Sequence, residues 1–378
     1  MTTAPCHARA PLLALSAGDP NGIGPEVLLR AAFAEGGGPD RPRLVAVGPS
    51  GVLRAEAEAL GLGPLVDVPA LAREAVAAAV AAAPGALPVF DPVPGAPFAR
   101  TPGRPTAEGG AAAMRAVAAG ADACLAGQAD GLVTAPLSKE AIHRAGFDFP
   151  GHTEFLAART GAAHVVMMLA AELPAGPLRV ALVTIHEPLA RVAPLVTAAR
   201  VAETVRTLTR ALRDDFGLAA PRLAVLGLNP HAGDGGVLGH EEQDVIAPAL
   251  EALGAEGYAV TGPHPADAFF GRGAWRAADA VVAMYHDQGL APFKALAMGG
   301  GVNVTCGLPI VRTSPDHGTG FDIAGQGRAE ASSMAEAIRV AARMAAARAR
   351  PPGAATDPSD APTDPSDAPT DPSDAPTA

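Results

Sequence analysis

The chain reads as an α/β protein on a mostly parallel sheet, and three observations carry that reading. Apolar runs of strand length alternate with Ala-rich stretches of helical length along most of the 378 residues. The runs are apolar at consecutive positions, as in strands covered on both faces. Three of them, residues 179–186 (RVALVTIH), 222–231 (RLAVLGLNPH) and 280–286 (AVVAMYH), end on a histidine.

Taken in order, residues 12–17 form the first expected strand. Gly24, Pro25 and Glu26 then start a helix, with proline in the first turn and an acid beside the positive helix end. Strands follow at 43–47 and 131–134, with helices at 70–83 and 106–119 around them. The histidine-ended runs complete the strands, and helices are expected at 196–215 and 333–347. Beyond Arg350 the pattern collapses into TDPSDAP repeats starting at Thr356, Thr363 and Thr370. This tail, 351–378, is acidic and low in complexity, and is expected to be disordered and outside the catalytic unit.

Composition narrows the function. With 49% hydrophobic and 18% charged residues the chain has a globular profile, and with only 4% aromatics its core must be filled by Ala, Val and Leu. A net charge of −11 argues against a nucleic-acid partner, which needs a basic face. No stretch reaches the ~18 uninterrupted apolar residues of a membrane span. Cys6, Cys124 and Cys306 are odd in number and far apart, and the first twenty residues lack a secretory leader's basic start and apolar stretch. A cytoplasmic location is therefore expected. Neither G-x-G-x-x-G after a strand nor G-x-x-x-x-G-K-[ST] occurs, and H-E-x-x-H and G-x-S-x-G are absent too.

The strand-end histidines, His186, His231 and His286, are candidate metal ligands, because parallel sheets bind ligands beyond the carboxyl ends of their strands. Each alone reads more readily as an ordinary loop histidine; three together reverse that balance in favour of a metal. Lysine gives a second signal. Only Lys139 and Lys294 occur among 28 basic residues, so a lysine marks a place where a compact ammonium is wanted. Lys294 is followed by Asn303 and Arg312, a set able to cradle a carboxylate and a phosphate.

The segments GDPNGIGPEV (18–27), PLSKEA (136–141), PGHTEFLA (150–157), NPHAGDGG (229–236), GPHPADAFF (262–270), AMYHDQGLAPFK (283–294) and GVNVTCGLPIVRTSPDHGTGFDIAG (301–325) together resemble the 4-hydroxythreonine-4-phosphate dehydrogenase family. The resemblance spans about residues 12–347. It departs from the family at Asn21, often Ala, and at Ala268, often Thr. It implies an isocitrate/isopropylmalate-dehydrogenase-like fold, with two open α/β domains around a cleft. One domain would comprise 1–137 plus 305–350, and the other, 138–304, would carry the metal histidines. It further implies NAD or NADP and one divalent metal ion per site (Zn, Mg or Co). The partners implied are a small phosphorylated hydroxy amino acid and a second copy of the chain, in a homodimer with the active site at the subunit interface. By matching motif, His186 and His231 of one chain and His286 of the other hold the metal. His152, Thr153, Lys294, Asn303 and Arg312 contact substrate. Asp267 and Asp287 sit close to the metal, and Lys294 or a water held by Asp267 exchanges protons.

The reaction implied is oxidation of 4-phosphooxy-L-threonine to 2-amino-3-oxo-4-phosphooxybutanoate, which decarboxylates to 3-amino-2-oxopropyl phosphate on the route to pyridoxal 5'-phosphate. A paralogue acting on 4-phospho-D-threonate, 4-phosphoerythronate or a carboxylated dihydrodiol would show the same histidines. An acyl-phosphate transferase of related fold is the more distant alternative, needing coenzyme A instead of metal and nicotinamide.

Overall fold

A computed structural model of the chain describes residues 9–36, 41–297 and 299–350. Cys6 and the TDPSDAP tail lie outside the described residues. The strands are β1 (Leu12–Ser16), β2 (Arg43–Val47), β3 (Leu65–Asp67), β4 (Leu87–Phe90), β5 (Gly131–Thr134), β6 (Val166–Leu173), β7 (Gly176–Leu182), β8 (Arg222–Leu226), β9 (Ala259–His264), β10 (Ala280–Ala283), β11 (Val302–Cys306) and β12 (Val311–Pro315). They join in one 12-stranded sheet of order β3-β4-β2-β1-β5-β12-β11-β6-β7-β10-β8-β9. Six strands from β3 to β12 are parallel, and so are the four from β7 to β9. Between these arms β11 runs antiparallel to β12 and β6, and β6 antiparallel to β7. The expected mostly parallel α/β sheet is thus present, with an antiparallel seam at its centre.

Burial explains the strand assignments. β1 (LLALS) is buried along its whole length, as a central strand covered on both faces must be. Its Leu13 and Leu15 face a core shared with the helices Gly24–Glu35 and Ser332–Ala349, and Leu12 and Ala14 face the helix Ala107–Leu125. The first of these cores continues across the seam to Val282 of β10 and Leu208 of the helix Ala198–Phe216, so one apolar layer ties the arms together. The opposite face of the second arm packs on Phe293 and Trp275.

The predicted helices at 70–83, 106–119, 196–215 and 333–347 appear as Arg73–Ala82, Ala107–Leu125, Ala198–Phe216 and Ser332–Ala349. Thr106 and Thr197 cap two of them, their side chains accepting from the N–H groups of Gly109 and Arg200. Of the strands that the sequence analysis leaves out, β3 and β4 are short, β6 (VMMLAAEL) is apolar and mostly buried and is simply missed, and the other three are marginal or polar. β9 (AVTGPH) is an edge strand containing Gly and Pro, and β11 (VNVTC) and β12 (VRTSP) place polar residues inside the sheet.

In the first arm the strand order reverses between β1 and β5, which opens a crevice beyond their carboxyl ends. There Gly18 lies in the left-handed region (φ 67), and the Asp19 N–H donates to the Pro136 carbonyl at 2.9 Å. A Cβ on Gly18 would overlap that carbonyl. Gly18→Ala is accordingly expected to cost about 2–4 kcal/mol of stability in urea unfolding, from αL strain plus displaced backbone. A loss below about 0.5 kcal/mol would mean that the two loops part freely.

Candidate active site

The three histidines are delivered by three adjacent strands, β7, β10 and β8. Beyond its last ladder residue β7 stays zipped to β10: the N–H groups of Val183 and Thr184 donate to the carbonyls of Ala283 and Met284, and Thr184 Oγ1 also donates to Met284 at 2.7 Å. Gln288 fastens β10 to β8, accepting from the Met284 N–H at 2.7 Å and donating to the Gly227 carbonyl at 2.6 Å. These bonds fix the origins of all three histidine loops. His186 and His286 consequently come together within one chain, with ring centroids 5.6 Å apart.

His231 is held differently. It begins a run of left-handed residues, His231 (φ 54), Ala232, Gly233, Asp234 and Gly235, in which the non-glycine members are strained. The buried carboxylate of Glu242 secures this turn, accepting from the N–H groups of Leu228 and Asn229, both at 2.7 Å, and from Asn229 Nδ2 at 3.0 Å. A Cβ on Gly233 would crowd the same carboxylate at 2.7 Å. Sequence reasoning missed Glu242, because a lone acid past a loop carries no signal until the loop folds back on it.

The donor chemistry suits a divalent cation. His186 is shifted down by burial, helped by the positive charge of Lys139 and by His286, so its imidazole stays neutral with a lone pair to offer. His286 Nδ1 lies 2.7 Å from Asp287 Oδ1, an outer carboxylate of the kind that orients metal-bound imidazoles. Among the described residues, however, no three His, Cys, Asp or Glu side chains converge on one point. Within one chain the structure brings His186 to His286, whereas the family resemblance pairs His186 with His231 and takes His286 from the other subunit. Asp267 is exposed in the first turn of the helix Ala266–Gly271.

The remaining candidates fall into two groups. Arg312 on β12 is 2% exposed, and burial pushes its guanidinium down to about 10, partly offset by Glu154. His152, at the start of the helix His152–Thr160 beside Thr153, is held well below its ordinary value by burial and then by the charge of Arg312. Arg312 Nε, His152 Nε2 and Asn303 Oδ1 are buried without a hydrogen-bond partner. Orphaned buried donors and acceptors cost free energy unless a ligand completes them. Lys294 instead faces a cavity lined by Phe293, Gly301, Asp316, His317 and Ser333, and pairs with Asp316 at 3.2 Å.

Glu154 was not singled out by the sequence and Lys139 only as one of two lysines with no role assigned, yet both charges are felt at His186, and Glu154 also at Arg312. Asp19 is a further addition: buried at the end of β1, with Oδ2 unpartnered, its carboxyl is pushed up by burial.

A mostly parallel α/β sheet bearing strand-end histidines and a buried cation defines a class of small-molecule enzyme. Over residues 40–341 the chain matches the family described as pyridoxal phosphate biosynthetic protein PdxA, and it belongs to that family. It is 48% identical over 344 residues to the 4-hydroxythreonine-4-phosphate dehydrogenase of Caulobacter vibrioides, covering 89% of this chain and 98% of that one. The fold is that of the 4-hydroxythreonine-4-phosphate dehydrogenase of Klebsiella pneumoniae, with a TM-score of 0.77 and 38% identity over 89% of this chain and 100% of that one. A terephthalate 1,2-cis-dihydrodiol dehydrogenase from Burkholderia xenovorans LB400 is also similar, with a TM-score of 0.61 and 32% identity over 89% and 98% of the two chains.

His152 supplies a pH test. An unfolded histidine titrates near 6.5 and the folded one well below, so beneath about pH 6.5 only the unfolded state gains the proton. Stability is expected to fall with pH there, His152 contributing up to about 1.4 kcal/mol per pH unit. His186 and His264, also shifted down by burial, add in the same direction. In urea unfolding between pH 7.5 and 5.5 the His152→Gln protein should show a shallower slope; an unchanged slope would contradict the buried neutral imidazole.

Proposed function

We propose that this protein oxidises 4-phosphooxy-L-threonine with NAD or NADP to 2-amino-3-oxo-4-phosphooxybutanoate, which decarboxylates to 3-amino-2-oxopropyl phosphate, in pyridoxal 5'-phosphate biosynthesis. The observation that carries this reading is the buried Arg312 with unpartnered His152 and Asn303 atoms, in a chain of the PdxA family. Arg312, Asn303 and His152 with Thr153 bind and orient the anionic substrate, and Lys294 adds an ammonium from the seam side. Burial around Arg312 excludes water and strengthens these contacts. Lys294, or a water held by Asp267, takes the proton from the substrate hydroxyl and returns one to carbon after CO2 departs. His186, His231 and His286, with Asp287 behind His286, would hold the cation, Zn, Mg or Co. When bound, a divalent cation lowers the pKa of the substrate hydroxyl and nicotinamide accepts the hydride.

A homodimer completes this site, with His231 and His286 serving one metal from different subunits. Because one chain brings His186 to His286 and not to His231, the histidine that crosses from the other subunit in this reading is His231 in place of the expected His286, and a second copy is further supported by exposed apolar side chains that follow each histidine. These are Leu189 (73% exposed) after His186, Val237 (79%) and Leu238 after His231, and Leu296 after His286. Among the described residues no helix is long and apolar enough to cross a membrane. The free thiols of Cys124 and Cys306 accord with a reducing cytoplasm.

The likeness to the terephthalate dihydrodiol dehydrogenase favours one second reading, a paralogue acting on a carboxylated dihydrodiol. Phosphorylated sugar acids such as 4-phospho-D-threonate and 4-phosphoerythronate belong in the same panel. Reduced-nicotinamide absorbance should rise fastest with 4-phosphooxy-L-threonine and stop after prolonged chelation. Faster turnover of another panel member would replace the substrate, and turnover surviving chelation would remove the metal.

The subunit arrangement has its own test. His231→Ala and His286→Ala homodimers should each be inactive, and after mixing and reassociation about a quarter of wild-type activity should return. Half the dimers are then hybrids, each with one intact site of two. Hybrids that form and stay inactive would put all the ligands in one chain.

A further inference from the structure

We propose that Thr134 and Thr305 are positioning residues for a substrate oxyanion: they grip the Arg312 guanidinium from both sides and leave it a buried net cation for that group to complete. This rests on the reading that Arg312 faces substrate. Arg312 lies on β12, and its two clamps come from the strands on either side. Nη2 donates to Thr134 Oγ1 of β5 and Nη1 to Thr305 Oγ1 of β11, both at 2.8 Å. Register produces this arrangement. Val304 pairs with Thr313 and Arg312 with Leu132, so Thr305 stands opposite Arg312, and Thr134 lies one pleat repeat beyond Leu132. The period-2 alternation then puts Arg312, Thr305, Thr134 and Asn303 on one sheet face.

The chemistry of the clamp is selective. Elsewhere in the chain Arg73, Arg100 and Arg348 pair with the carboxylates of Asp130, Glu56 and Asp215. Arg312 is more deeply buried than any of these, and among the described residues no carboxylate lies within ion-pair distance of it. A hydroxyl accepts a hydrogen bond without cancelling charge, whereas a carboxylate in its place would neutralise the site. Threonine is also stiff at χ1, so two such acceptors fix the plane of the guanidinium. The orphaned Nε–H is left for the oxyanion, and the orphaned Oδ1 of Asn303 for a hydroxyl or amine of the same ligand. A planar cation fixed in this way suits a carboxylate or a phosphate, which share two-oxygen geometry.

The test compares wild type with Thr134→Val, Thr305→Val and the matching serine variants, valine keeping shape and strand preference. Each valine should raise the KM for 4-phosphooxy-L-threonine about tenfold while kcat changes less than about threefold, the signature of lost ground-state binding. Serine, which keeps the acceptor, should stay near wild type. Valine variants with wild-type KM, or serine variants as impaired as valine, would overturn the clamp. If the wild type does not turn this substrate over, the substrate reading fails and the clamp is decided by melting temperature with inorganic phosphate or acetate. At least one anion should raise the wild-type Tm and raise it less in the valine variants, and which anion does so tells phosphate from carboxylate. Equal rises in all proteins, or none in wild type, would overturn the proposal.

Discussion

The register of the antiparallel seam is the constraint on which the site depends. β11 pairs with β12 on one side and β6 on the other, and through them the two parallel arms become one sheet. A slip of one residue in β11 would turn Asn303 and Thr305 to the opposite face and leave the Arg312 guanidinium half held. The apolar layer running beneath both arms makes such a slip costly, since Val302 and Val304 belong to it. The same pairing that builds the core therefore aims the polar groups.

Polar residues in β11 and β12 are the visible cost of function. A strand buried on both faces is ordinarily a continuous apolar run. Here Arg312, Thr305 and Thr313 are all nearly inaccessible, and Thr313 is satisfied by donating to the Ala337 carbonyl in the helix Ser332–Ala349. Arg312 is satisfied only in part. In the second arm cost takes another form: left-handed strain at His231, Ala232 and Asp234, contained by the buried Glu242. Both places violate a local rule of folding, and both lie where the family resemblance puts chemistry.

Electrostatics link the two regions. Lys139, which starts the helix Lys139–Arg144 after β5, acts on His186 of the other arm, and Glu154 acts on His186 and Arg312 together. Both charges thus reach His186, and that of Glu154 reaches the buried guanidinium as well.

The sequence by itself determined the alternation of strands and helices, the parallel arms, and the residue types that carry chemistry. Apolar runs ending on His186, His231 and His286 were legible because buried parallel strands leave an unbroken apolar signal that stops where function begins. Passed over in the sequence are β3, β4 and β6, the last an apolar run that could have been found there, whereas in β9, β11 and β12 edge position and a buried polar face erase the signal. Only the tertiary structure decided that β7, β10 and β8 are neighbours, that His186 meets His286 within one chain, and that Thr134 and Thr305 close on Arg312 from both sides. The physical reason is that these are non-local pairings, set by which strands lie side by side, and periodicity along a chain contains no record of that.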